Sequence, residues 1–217
     1  MSRIDNFELP LEERVARELE EDIIFGRLQP GERLREDALL ERFGGTRHFM
    51  RQSLARLERS GIVVHERNKG AVVRTFSAEE VGHIYEVREM LHRRAAVCTP
   101  LPVSAELIEE LKAINDEYGA CIAANDLRGI HETNDTFHKA QSSACANPYL
   151  RALVFEYMDI TLAIRAKNLA NPARLKDSIE HHRLIIKYLQ GTDNWTLAEL
   201  SVDHIKPSKE MYIEGIK

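Results

Sequence analysis

Cysteine is scarce in this chain. Cys98, Cys121 and Cys145 are three in number, far apart, and form no CxxC pair. That leaves no basis for a disulfide framework; reduced, structurally buried thiols in a cytoplasmic protein are expected. Long apolar runs are also missing. None approaches the roughly 20 residues that a membrane helix needs, so no membrane partner is expected. The opening, MSRIDNFELPLEER, has no apolar signal core, and secretion is not expected either. There is no internal repeat and no low-complexity segment. What is present, 43% hydrophobic and 30% charged residues in 217, is the composition of a soluble globular protein with room for one large or two small domains.

Positive charge is in deficit overall, at a net −5, but it is unevenly spread. Arg42 to Arg74 holds eight Lys/Arg against two acids, a local balance of +6, so the remainder carries −11. A compact basic segment on an acidic body is the footprint of a phosphate-backbone partner.

The segment around that charge predicts a short series of elements. Leu11, Val15, Leu19, Ile23 and Ile24 recur at helical spacing, opened by Leu9-Pro10 and closed by Gly26. Gln29-Pro30-Gly31 is a turn. A short helix follows over Glu36–Arg42, with Leu39, Leu40 and Phe43 facing inward. Gly44-Gly45-Thr46 breaks it, and Thr46 is placed to cap a second helix that ends at Gly61. In that helix Phe49, Met50, Leu54 and Leu57 form the apolar face, while Arg47 and Arg51 project together one turn apart. Ile62-Val63-Val64, a basic tip over Glu66–Gly70, and Ala71-Val72-Val73 read as a β-hairpin. Helix, helix, turn, helix, hairpin is the order of a winged helix-turn-helix, which reads base edges from the start of its second motif helix.

Residues 10–75, IIFGRLQPGERLREDALLERFGGTRHFMRQSLARLERSGIVV through NKGAVV in particular, resemble the GntR family of bacterial transcription regulators, with its PGxxLxExxLAxxFGVSRxPVRxALxxLxxxGLV and xxGxxV patterns. The resemblance implies DNA contacts from Arg35, Arg47, Arg51 and Gly70, with Thr46 at the usual small hydroxyl position; Lys69 joins Gly70 at the wing. His48, Phe49 and Met50 depart from the common Thr-Pro-Val type of triplet, and Gln52 from a common Glu. His48 is placed to touch a base or phosphate, or to be solvated.

From Ser77 onward the texture changes to long amphipathic helices without strand-like alternation. Ser77, Ser104, Asp126, Asn147-Pro148, Asn171-Pro172 and Thr192-Asp193 mark the breaks, predicting helices to about Cys98, Ala124, Ala146, Leu169, Gly191 and Ile213. The fold class expected is mainly α: a winged helix-turn-helix over 1–75 with a small hairpin wing, and an antiparallel all-α bundle of about six helices over 76–217. Asn134 and His138 share a face at i, i+4 on the third bundle helix. His182 and His204 lie on the fifth and sixth. Three imidazoles and an amide oxygen suit a borderline divalent cation with positions left open. Spacing alone does not separate such a set from buried, hydrogen-bonded histidines.

EVGHIYEVREML, NDTFHKAQSSACANP, IEHHRLIIKYLQGTD and His204 resemble the FCD ligand-binding domain of the FadR branch of GntR regulators. That domain shows yevRxxLE, [DN]xxFHxxLxxxxxNP and HxxIxxAixxgD, with a further His 22 residues after the first, which is the separation of His182 and His204. The resemblance implies Asn134, His138, His182 and His204 as ligands of a divalent metal, zinc or nickel. His181 competes, but Ile185 fits the pattern better with His182. Asn134 stands where Asp is more usual, and Asp135 points about 100° away on an ideal helix. Arg88 matches the arginine near the effector pocket and suits a carboxylate. His92 replaces the common Glu. Arg165 could face the pocket or the dimer surface; His131, seven residues before His138 and on a similar face, is expected to be buried or solvated, with lining of the pocket as the alternative.

The function expected is a non-enzymatic, homodimeric DNA-binding repressor whose grip on a pseudo-palindromic duplex operator is controlled by a small organic acid bound at the metal. A metalloregulator sensing the metal itself, or a metal-dependent enzyme, are the alternatives.

Overall fold

The computed structural model describes residues 10–166, 169 and 171–216. The chain forms two compact units divided between Phe76 and Ser77.

In the first unit, α1 (Leu11–Ile24) packs on α3 (Arg47–Arg59), with α2 (Glu36–Phe43) beside α3. The expected opening of α1 at Leu9 lies outside the described residues. Val15, Leu19 and Ile23 of α1 and Met50, Leu54 and Leu57 of α3 are buried, as their 3–4 spacing requires. Ser53 Oγ donates to the Glu12 carbonyl at 2.9 Å and ties the two helices where they cross. Buried Asp22 accepts from Arg27 Nε and Arg42 Nη1. Of the three α2 and turn residues expected to face inward, Leu39 is buried and Leu40 and Phe43 are half-buried. Thr46 Oγ1 accepts from the Phe49 N–H at 3.4 Å and starts α3. Gly61 ends it with φ +73°.

The hairpin pairs β1 (Val63–Glu66) with β2 (Gly70–Val73) in the register Val63↔Val73 to Glu66↔Gly70. Residues 31–34 extend it: Gly31 N–H donates to Val73 O, Val73 N–H to Glu32 O and Leu34 N–H to Ala71 O, each at 2.9 Å. Asn68 takes positive φ at the tip, which an Asn tolerates better than most.

The elements among the described residues of the second unit are all helices: α4 (Ala78–Val97), α5 (Ala105–Ala123), α6 (Leu127–Ser143), α7 (Pro148–Ile160), α8 (Leu162–Arg165), α9 (Pro172–Leu189) and α10 (Asn194–Glu214). Ser77, Ser104, Asp126, Asn147, Asn171 and Asp193 each accept from a first-turn backbone N–H. Six capped starts account for the six expected helices. The seventh comes from a break: the expected fourth helix does not run on toward Leu169 but splits at Thr161. There the hydroxyl donates to Tyr157 O at 2.7 Å, and Arg165 Nη2 donates to Met158 O at 3.1 Å. The Tyr157 carbonyl thus accepts from both the Thr161 N–H and its hydroxyl, an added side-chain bond of the kind that bends helices. The core runs through Ala96, Leu111, Phe137, Ile185, Leu189 and Leu197, bringing α4, α5, α6, α9 and α10 around one centre.

Gly45 supports the turn between α2 and α3. It has φ +86°, and a Cβ there would lie 2.6 Å from Leu11 Cδ2. Gly45→Ala is expected to cost about 1–2 kcal/mol from left-handed backbone alone. Urea denaturation measures this, and an unchanged midpoint would mean that the turn relaxes freely.

Candidate metal and effector site, and the recognition helix

Three imidazoles meet at the centre of the second unit. α6 supplies His138, α9 supplies His182 and α10 supplies His204, and one ring nitrogen from each lies within 4.8 Å of the others. Each is placed by its neighbours. Phe137 stacks on His182 with centroids 3.8 Å apart. His182 Nδ1 lies 3.0 Å from Asn115 Oδ1, and His138 Nδ1 lies 3.4 Å from Gln141 Oε1. An amide oxygen only accepts, so both rings carry their proton on Nδ1 and turn the Nε2 lone pair inward. His182 Nε2 is buried without a hydrogen-bond partner, as is His204 Nδ1. His204 Nε2 and His138 Nε2 stand 3.0 Å apart.

That donor set fits a divalent cation. In the metal-free protein His204 Nε2–H donates to the His138 Nε2 lone pair, and the nitrogens left over are His182 Nε2 and His204 Nδ1, which are costly to bury without a partner. Amide acceptors behind ligand imidazoles are the usual orienting second layer of metal sites. Burial keeps the rings neutral: His138 is pushed down to about 3, by desolvation first and then by Arg165, and His182 and His204 are pushed well below 6.5 by desolvation.

A cavity of about 270 Å³ opens beside the cluster, lined by His138, His204, Asn134, Arg88, Arg165 and His131 among others. Asn134 is half-buried, one turn before His138. Asp135 does not compete for the cavity: Arg165 holds it at 2.9 Å and Lys139 at 2.7 Å. Although burial disfavours its charge, those cations keep the carboxyl well below the usual range. Arg88 is 2% exposed, its guanidinium carbon 5.0 Å from the Tyr85 ring centroid. Its Nη2 lies 3.4 Å from His92 Nε2, while Nε and Nη1 have no partner. Desolvation lowers it to about 10, so it is still a cation at neutral pH. With Arg165 offset by Asp135, Arg88 is a buried positive charge without a carboxylate partner among the described residues.

Arg165 and His131 were given no firm place by sequence reasoning, and both line this cavity. Arg165 is brought there by the break at Thr161, which has no glycine or proline to announce it. Asn115 was missed, yet it carried a signal: an amide on the apolar stripe Ile108, Leu111, Asn115, Tyr118. His181 also borders the cavity, 5.5 Å from the His204 ring, but His182 is the one gathered into the three-ring cluster.

In the first unit, Arg35, Thr46, Arg47, His48, Arg51 and Lys69 are all exposed, and Gly70 has φ +80° with open space where a Cβ would stand. Arg47 Nη2 bonds Asp37 at 2.6 Å, and Arg51 Nε bonds both Glu36 oxygens at 3.0 and 3.2 Å. Lys69 pairs with Glu66 at the hairpin tip.

Residues 11–73 match the gntR family of bacterial regulatory proteins, and residues 83–207 match the FCD domain. The chain belongs to the GntR family and carries an FCD domain. It is 25% identical over 171 residues to an uncharacterized HTH-type transcriptional regulator, YdhC of Bacillus subtilis, spanning 78% of this chain and 76% of that protein. It is 29% identical over 120 residues to an HTH-type regulator of Agrobacterium vitis, spanning 54% of this chain and 70% of that one. Among solved structures it is similar to Escherichia coli McbR/YncC (TM-score 0.79, 18% identity, 96% of this chain and 100% of that one). It is also similar to a putative GntR regulator from Rhodococcus sp. RHA1 (TM-score 0.76, 18% identity, 95% and 99%). These likenesses show the fold. The protein is a DNA-binding transcription regulator of GntR type, from a family that is not one of enzymes. No described helix is long and apolar enough to cross a membrane.

Two predictions follow from the regulator's imidazole cluster. If the cluster holds a metal, Asn115→Leu, which removes the acceptor behind His182, should lower its affinity about 10- to 100-fold, read by competition with a chromophoric chelator. Unchanged affinity would mean that Asn115 does not orient a ligand. The second concerns pH. His138 and His131 are held at about 3 and about 4 in the fold, against 6.5 ordinarily. As pH falls from about 6.5 to 5 the unfolded chain takes protons that the folded chain refuses. Stability is therefore fully present above that window and falls through it. The urea midpoint of metal-free protein should drop across this range, above ordinary carboxylate titration; a flat profile would mean that the rings are solvated.

Proposed function

We propose that this regulator is a repressor whose operator affinity is set by a small organic acid bound in the cavity of the second unit. The observation that carries this reading is the buried Arg88 guanidinium, with two unpartnered N–H groups, beside a cluster of neutral imidazoles. A carboxylate answers both at once, since it accepts hydrogen bonds from a guanidinium fork and ligates a metal with its other oxygen. Asn134, His138, His182 and His204 would hold a divalent cation, zinc or nickel by donor type, which supplies a Lewis-acidic anchor for the acid. Arg88 orients the acid and sets its charge. The cavity volume admits a compact acid and excludes a polymer.

Arg47, His48 and Arg51 would read base edges in the major groove from the start of α3. Arg35, Thr46, Lys69 and Gly70 would fix the phosphate backbone or the minor groove. A homodimer presenting two such units calls for a pseudo-palindromic duplex. The acid acts only through differential affinity, because binding equally to DNA-competent and incompetent arrangements shifts nothing.

The domains proposed for these roles are 1–75 and 76–217, in a cytoplasmic protein. A second reading makes the metal itself the signal, and it draws on the same three imidazoles.

One experiment separates the readings. A duplex selected by the purified protein is titrated with metal-loaded protein, with and without a panel of small mono- and dicarboxylates, and again after chelation. The proposal expects one class of acid to weaken binding about tenfold or more, and Arg88→Ala to abolish that response while keeping DNA affinity. If chelation alone releases the duplex and no acid does, the metal is the signal.

A further inference from the structure

The two arginines assigned to base readout are both already engaged by α2. Glu36, the first residue of α2, receives Arg51 Nε on both carboxylate oxygens at 3.0 and 3.2 Å and lies 3.7 Å from Arg47 Nη1. Asp37 takes Arg47 Nη2 at 2.6 Å. Both arginine side chains are well exposed, at 59% and 67%, whereas Glu36 is at 28%, the most withdrawn of the four. Exposed ion pairs contribute little to stability, so these pairs are not what holds α2 against α3. They have two other physical effects. Arg51 is gripped through Nε alone, which leaves its terminal Nη1/Nη2 edge open. That edge is one of the two donor forks that match guanine O6 and N7. That contact biases the orientation of the guanidinium before any DNA arrives. Two acids also cancel two cations at the tip of the helix, so the tip attracts bare phosphate weakly.

We propose that Glu36 is a specificity-determining residue of the DNA interface, which aims the Arg51 fork at a guanine edge and suppresses sequence-independent binding. The proposal rests on the reading of Arg47 and Arg51 as base-contacting residues. Its logic is that discrimination is a difference of affinities. A carboxylate at the tip disfavours every duplex through phosphate repulsion, and restores binding only where a guanine rewards the oriented fork. Glu36 is a positioning residue acting through Arg51, with no base contact of its own.

The test uses full-length wild-type protein and Glu36→Gln, each selecting from a random duplex pool. Each is then titrated on the wild-type motif and on poly(dI-dC) over a range of salt. Wild type should enrich a motif with a guanine in each half-site. Glu36→Gln should lose preference at that guanine, and its ratio of specific to non-specific affinity should fall about tenfold. Its affinity for poly(dI-dC) should rise, with a salt slope steeper by about one. Added to Arg51→Ala, Glu36→Gln should cause no further loss of preference, which a merely structural role would not produce. Circular dichroism and urea midpoints confirm that each variant folds. A Glu36→Gln protein that keeps motif and ratio, or that loses as much preference on the Arg51→Ala background as alone, overturns the proposal. If wild type enriches no motif, the base-readout assignment itself fails, and the proposal with it.

Discussion

Three neutral imidazoles turned toward one another inside a helical bundle are the constraint on which the second unit depends. Bringing His138, His182 and His204 together requires α6, α9 and α10 to converge, and keeping them neutral requires that water be excluded. Both demands are met by apolar packing: Phe137 stacked on His182, with Leu111, Ile185 and Leu197 around them. The arrangement is costly in isolation, since buried nitrogens without partners are among the least favourable groups a fold can carry. Such a cost is characteristic of places where a protein is built to receive something.

Beside the cluster most charges are matched by a neighbour of opposite sign, Arg174 by Asp177 and Glu180 by Arg183 among them. Arg165 is answered by Asp135, and Lys139 shares the same carboxylate, so those charges close on themselves. Arg88 is not answered; its neighbours are a tyrosine face and a neutral His92. Where the common pattern would set a carboxylate, His92 leaves the guanidinium with its charge intact. On the proposed reading, this is the charge that an organic acid would meet.

How much of this could be read in the sequence varied with the physics involved. Helix starts were legible because caps are local: Ser104, Asn147 and Asn171 mark their own turns, and the structure places their side chains on the expected backbone donors. The hairpin was legible for the same reason. The break at Thr161 was not, because a threonine that takes its carbonyl from four residues back looks in sequence like any residue of an amphipathic helix. Arg165 was left between two faces as a consequence. The roles of Asn115 and Gln141 depend on which helices meet, and spacing along one helix carries only a hint of that. The acids Glu36 and Asp37 looked like an ordinary favourable first turn of α2. Their second task becomes visible only when α3 is laid beside them.

The turn that sets that juxtaposition is narrow. The space where a side chain at Gly45 would stand is occupied by Leu11 from the first helix, so the path of the chain between α2 and α3 is moulded against a residue remote from any DNA. If the acids of α2 act on base readout as proposed, operator choice has a lever outside the recognition surface. A change in the size of the side chain at position 11 would alter the packing against the turn that joins α2 to α3. Drift at a half-buried aliphatic position could retune which duplex is preferred while every DNA-facing residue stayed the same.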